Sequence, residues 1–174
     1  LFERLTGGDR RSIGQANEIV KEVLRTPQLF TALFEGLHDD NPLIRMRTAD
    51  ALEKITAQRP AWLAPYKYEL LRLLAAPEQP EVRWHLIQMA PRLHLTLRER
   101  AKTISVLKNY LSGDSSIVKS SAMQTIAELA GDDEHLRGET IRLLERLVKT
   151  GTPAMKNRGR KLLKNFGIEN PHTT

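Results

Sequence analysis

Four stretches of this chain begin alike and then run on at helical spacing. They read Pro42-Leu43-Ile44-Arg45, Pro80-Glu81-Val82-Arg83, Ser116-Ile117-Val118-Lys119 and Pro153-Ala154-Met155-Lys156, with steps of 38, 36 and 37 residues between them. From Ile44 the apolar or small positions at +4, +7 and +8 are Thr48, Ala51 and Leu52. From Val82 they are Leu86, Met89 and Ala90; from Val118, Ala122, Thr125 and Ile126; from Met155, Gly159, Leu162 and Leu163. This spacing places each set on one helix face. Proline suits the first turn, where its missing N–H would have no helical partner.

A second set of Leu-rich amphipathic segments lies between these: Gln28 to His38, Trp62 to Ala75, Leu97 to Leu111 and His135 to Lys149. Thr96-Leu97-Arg98-Glu99 fits a capping box that starts the third. Turns at Asp39-Asp40-Asn41, Pro77-Glu78-Gln79, Gly113-Asp114-Ser115 and Gly151-Thr152 separate the pairs. A degenerate fifth unit opens the chain, with Leu1-Phe2-Glu3-Arg4-Leu5, a turn at Gly7-Gly8-Asp9 and a helix from about Ser12. Its first helix looks cut short, so further repeats are expected upstream. A period in this range marks stacked supersecondary units, none able to bury its apolar face alone. The expected fold is one all-α domain of about five helical hairpins over residues 1–27, 28–60, 61–95, 96–132 and 133–168, with 169–174 as a tail.

Asp39-Asp40-Asn41-Pro42-Leu43-Ile44-Arg45, followed by Thr48 and Ala51, resembles the HEAT repeat, an armadillo-like unit. Val82-Arg83 and Val118-Lys119 match fairly and Met155-Lys156 more weakly, while the opening unit has Ile13 where the base belongs. The resemblance covers nearly the whole chain and implies a right-handed α-α superhelix, an α-solenoid. It identifies an architecture, not a function.

Composition narrows the classes. Of 174 residues, 40% are apolar and 28% charged, enough for a folded core. There is no Cys, which excludes disulfides, thiolate metal sites and a cysteine nucleophile and suits a reducing, cytoplasmic compartment. No apolar run approaches the roughly 20 residues needed to span a bilayer.

The recurrent bases Arg45, Arg83, Lys119 and Lys156 form a ladder. The HEAT resemblance implies that such bases pair with a turn acid of an adjacent unit, here Asp40, Glu78 or Asp114. Charge is uneven as well. Residues 146–168 hold seven bases (Arg146, Lys149, Lys156, Arg158, Arg160, Lys161, Lys164) and no acid, while the whole chain is +6, so the remainder sums to −1. A patch of this kind meets nucleic-acid phosphates or an acidic protein, or forms the polar outer face of a capping helix. The +3 positions Arg47, His85, Ser121 and Arg158 and the +6 positions Asp50, Gln88, Gln124 and Lys161 are expected to face a concave groove. Trp84 stands beside them as a stacking or anchoring aromatic, or as an inter-repeat wedge. Trp62, Tyr66 and Tyr68 are expected to pack or to rim the opposite side.

Catalytic patterns are lacking. His38, His85, His94, His135 and His172 show no His-x-x-x-His spacing and no His-Glu pair, the signature of the metal-dependent hydroxylase built on HEAT repeats. Neither a Gly-rich phosphate loop nor a Ser-x-x-Lys or Gly-x-Ser-x-Gly nucleophile motif occurs. The leading expectation is a non-catalytic scaffold, without cofactor or metal, that holds a protein or peptide partner through Arg47, Trp84, His85, Gln88 and Gln124. The alternative is nucleic-acid binding through Lys156, Arg158, Arg160, Lys161 and Lys164. DNA-alkylation-repeat glycosylases are HEAT-like and use an aromatic, a base and an Asp, types that Trp84, Arg47 and Asp50 share. A pigment or cofactor lyase, as among the HEAT-like phycobilin lyases, is a third class. Leu1, Phe2 and Leu5 are expected to make a sticky end for self-association.

Overall fold

The computed structural model describes residues 2–6, 15–76 and 79–168. Among these residues every regular element is helical. The chain forms two compact units, residues 1–93 and 94–174.

In the first unit a 3₁₀ turn at Phe2–Leu5 precedes α1 (Ala16–Arg25), α2 (Leu29–Glu35) and α3 (Pro42–Gln58). A 3₁₀ segment at Pro60–Tyr66 leads into α4 (Lys67–Ala75), and α5 (Pro80–Met89) follows. Helix α3 is the centre of this unit and packs against α1, α5 and the opening turn. Its start is set locally: Pro42 occupies the first turn and the Asn41 side chain accepts a hydrogen bond from Leu43 N at 3.0 Å. Aromatic rings fasten α2 to the segment before α4. Phe34 stacks on Tyr66 at 4.2 Å between centroids, and Phe30 meets Trp62 edge-on at 5.4 Å. Trp62 and Tyr66 thus pack as expected, whereas Tyr68 is exposed.

The second unit holds α6 (Leu97–Asn109), α7 (Ser116–Ala130), α8 (Glu134–Thr150) and α9 (Pro153–Asn165). The anticipated capping box opens α6, with Thr96 Oγ1 accepting from Glu99 N and Glu99 Oε2 accepting from Thr96 N. Ser115, Asp133 and Thr152 cap the next three helices through their side-chain oxygens. The left-handed backbone at Gly131 (φ 50°) ends α7, a conformation that favours glycine. Helix α9 lies against both α7 and α8. Met123, Leu144, Met155, Leu162 and Leu163 form the core between them.

All twelve positions read at +4, +7 and +8 are buried, from Thr48 to Leu163. The helical register was therefore written in the pattern. Parts of the expected opening unit (Leu1, Gly7-Gly8-Asp9, Ser12, Ile13) and Pro77, Glu78 and residues 169–174 lie outside the described residues, as do the side chains of Phe2 and Glu3. Leu5, expected at a sticky end, is fully buried. No described helix is long and apolar enough to cross a membrane.

Candidate functional site

Of the ladder bases, Arg45 fastens a turn, though not by the expected ion pair. Arg45 Nη1 donates to the carbonyls of Asp39 (2.8 Å) and Asp40 (3.0 Å), and Nη2 donates to Gln79 Oε1 (3.1 Å). Its partners are thus turn carbonyls and an amide, not the Asp40 carboxylate. A guanidinium's fan of donors suits carbonyls as well as acids. Arg83 is half-buried. Lys119 and Lys156 are half-buried and make no ion pair among the described residues.

The groove reading needs correction at two positions. Arg47 is only 1% exposed and His85 only 6%. Arg47 Nη1 donates to the Leu5 carbonyl, tying α3 to the opening turn. The physical reason is placement: a helix flanked on two sides buries its borders as well as its apolar stripe, and an arginine's aliphatic stem accepts that burial. Asp50, expected in the groove, pairs with Lys54 one helical turn on (2.7 Å).

Trp84 and Gln88 are half-buried. Gln88 Nε2 donates to the Trp84 carbonyl at 3.4 Å, and the Trp84 ring lies 4.5 Å from that of His85. His85 Nδ1 is buried, without a hydrogen-bond partner among the described residues. Burial holds the imidazole pKa below its ordinary value, opposed by Asp50 and Glu53 and reinforced by Lys54. The unfolded chain therefore takes up this proton at a higher pH than the folded one. The stability tied to neutral His85 is complete above about pH 6.5 and is lost as pH falls from there through the lower folded value. Urea unfolding followed by Trp fluorescence should show the wild type losing more stability than His85→Gln between pH 7.5 and 5.5. Equal losses would remove His85 from that account.

The basic window divides into two kinds of residue. Arg158 turns inward: Nε donates to Ser120 Oγ and Nη1 to Gln124 Oε1, each at 3.2 Å. Gln124 in turn donates to Glu128 Oε1 at 2.8 Å, so it too is engaged in holding α7 and α9. By contrast, Arg146, Lys149, Arg160, Lys161 and Lys164 are exposed, and their side chains make no hydrogen bond or ion pair among the described residues. Exposed bases elsewhere divide: Lys21 pairs with Glu18 and Arg72 with Glu69, while the side chains of Arg25, Arg98 and Lys102 make no hydrogen bond or ion pair among the described residues.

Asn157, Arg160, Lys161 and Lys164 stand at i, i+3, i+4 and i+7, one outer arc of about 100° on α9. Met155, Gly159, Leu162 and Leu163 occupy the opposite, buried side. Arg146 and Lys149 sit on the last turns of α8, just before the Gly151-Thr152 turn. Glu145 is the lone acid between Thr140 and Ile168. Counting charge located this face, but separating Arg158 from its neighbours required the packing. Arg142, exposed on α8 just before the basic window, extends the same character.

Among the described residues no cluster of His, Asp and Glu could hold a metal ion. No protein family, curated protein or solved structure matches the chain.

Proposed function

We propose that this chain is a HEAT-like helical-repeat scaffold, an α-solenoid, that works by binding and not by catalysis, and that it takes an anionic macromolecule on α9. The repeat reading is supported by evenly spaced helix starts, each marked by a cap or a proline, whose +4, +7 and +8 positions are all buried. One observation carries the binding surface: Arg160, Lys161 and Lys164, whose side chains are unpaired among the described residues, on a single exposed arc, with Arg146 and Lys149 beside the adjoining turn. Like charges held together without counter-charges cost stability, and an arriving anion relieves that repulsion. The groove alternative loses two of its five residues to burial, Arg47 and His85.

Immobilised heparin, a generic polyanion, tests the surface. The triple variant Arg160→Gln, Lys161→Gln, Lys164→Gln should elute at clearly lower salt than the wild type and melt within about 1 kcal/mol of it, since exposed positions contribute little to stability. Unchanged elution would move the site away from α9.

A further inference from the structure

We infer that the α9 face binds the phosphate backbone of double-stranded nucleic acid, without reading its sequence. This rests on the reading of α9 as an anion-binding surface. What separates the anionic partners is everything on the face besides charge.

A protein–protein interface is organised around buried aromatic or aliphatic anchors, with charge depleted at its centre. Among the described residues the exposed large apolar side chains are Tyr68, Leu97 and Ile117, and none lies on α8 or α9. Phe166, just past α9, is half-buried, with the Arg137 guanidinium 4.9 Å above its ring. An acidic protein would therefore meet charge with no anchor to seat it.

Single-stranded nucleic acid is held by stacking its bases on aromatic rings. The outer arc of α9 offers Asn157, Arg160, Lys161 and Lys164, and no ring. A duplex hides its bases and presents phosphates, the one partner that asks only for positioned cations and amide donors. Arg160 and Lys164 at i and i+4 form a ridge with a step of about 6 Å. The duplex carries one charge per roughly 1.7 Å of its axis, so each base along the ridge finds a phosphate within side-chain reach.

The chemistry fixes how binding responds to salt. Five exposed bases give a limiting slope of log Kobs against log [salt] of about −4.5, a loss of about 500-fold between 50 and 200 mM. Removing Arg160, Lys161 and Lys164 should bring the slope to about −1.8. Glu145, the acid in this region, opposes phosphate, so Glu145→Gln should tighten binding a few-fold.

The test is fluorescence anisotropy of the full chain with five labelled probes at both salt concentrations: 24-base-pair DNA of two unrelated sequences, a 24-base-pair RNA, a 24-nucleotide single strand and poly-glutamate. The expected result is binding of all three duplexes alike, tighter than the single strand or poly-glutamate. The steep slope should flatten in the triple glutamine variant and the affinity should rise in Glu145→Gln. Tighter binding of poly-glutamate or of the single strand would overturn the duplex inference and leave α9 as an anion-binding face. Duplex binding indifferent to both variants, or no binding of any probe at 50 mM salt, would overturn that underlying reading too.

Discussion

Arg47→Ala is expected to lower the urea midpoint of the first unit by about 1–2 M while leaving anion binding at α9 unchanged. The side chain is among the largest fully buried ones, and its Nη1 satisfies the Leu5 carbonyl at the end of the opening turn. Truncation removes buried methylenes and orphans that acceptor, together worth about 3 kcal/mol. A urea dependence of about 2 kcal/mol per molar converts this to the stated shift. Both tryptophans, Trp62 and Trp84, lie in residues 1–93, so fluorescence reports this unit's transition. Arg47→Met keeps most of the volume and loses only the donor, so it should recover about half of the deficit. If Arg47→Ala unfolded with the wild type and lost anion binding instead, Arg47 would belong to the functional surface and not to the core.

Gly159→Leu should be the most damaging single change in the second unit, costing about 3 kcal/mol or more. Even a Cβ at this position would stand 2.7 Å from Val148 Cγ2, with the Leu144 carbonyl and Met123 Cε each at 3.5 Å. Overpacking of this kind forces helices apart or side chains off their rotamers. Valine is stiff about χ1, so it yields poorly. Gly159→Ala is the informative comparison. Alanine gains about 1 kcal/mol of helix propensity, which the clash must exceed for the variant to be less stable. Pairing Gly159→Ala with Val148→Ala should expose that gain, and a thermal melt followed by far-ultraviolet circular dichroism measures the coupling. Additive effects would mean that the two positions do not touch.

The helices were legible because several local signals agree: a cap or proline at the start, apolar spacing of 3.6 and a polar turn between. Asn41, Thr96, Ser115 and Thr152 act as caps where those turns end. Legibility failed where a side chain's environment is set by distant chain. The pattern treats Arg47 and His85 as polar and hence outward, yet both lie on helices with packed flanks. The same limit applies within the basic window. Charge alone could not separate Arg158, two of whose donors are taken by Ser120 and Gln124, from Arg160, whose guanidinium has no partner among the described residues. The candidate face was thus visible as a run of charge, and its membership only once the partners were known.

Several helix or turn carbonyls are fastened by an arginine from elsewhere in the chain. Arg47 reaches the Leu5 carbonyl across 42 residues, and Arg92 the Glu53 carbonyl across 39. Arg137, on α8, instead reaches Phe166 at the end of α9, so that clasp closes inside one hairpin. The units are consequently unequal as building blocks. A segment cut around α3 leaves one half of its clasp behind, whereas α8 and α9 travel with theirs. Anyone recombining these hairpins into new arrays would have to carry Leu5 wherever Arg47 goes, and α7 with its Ser120 and Gln124 wherever Arg158 goes.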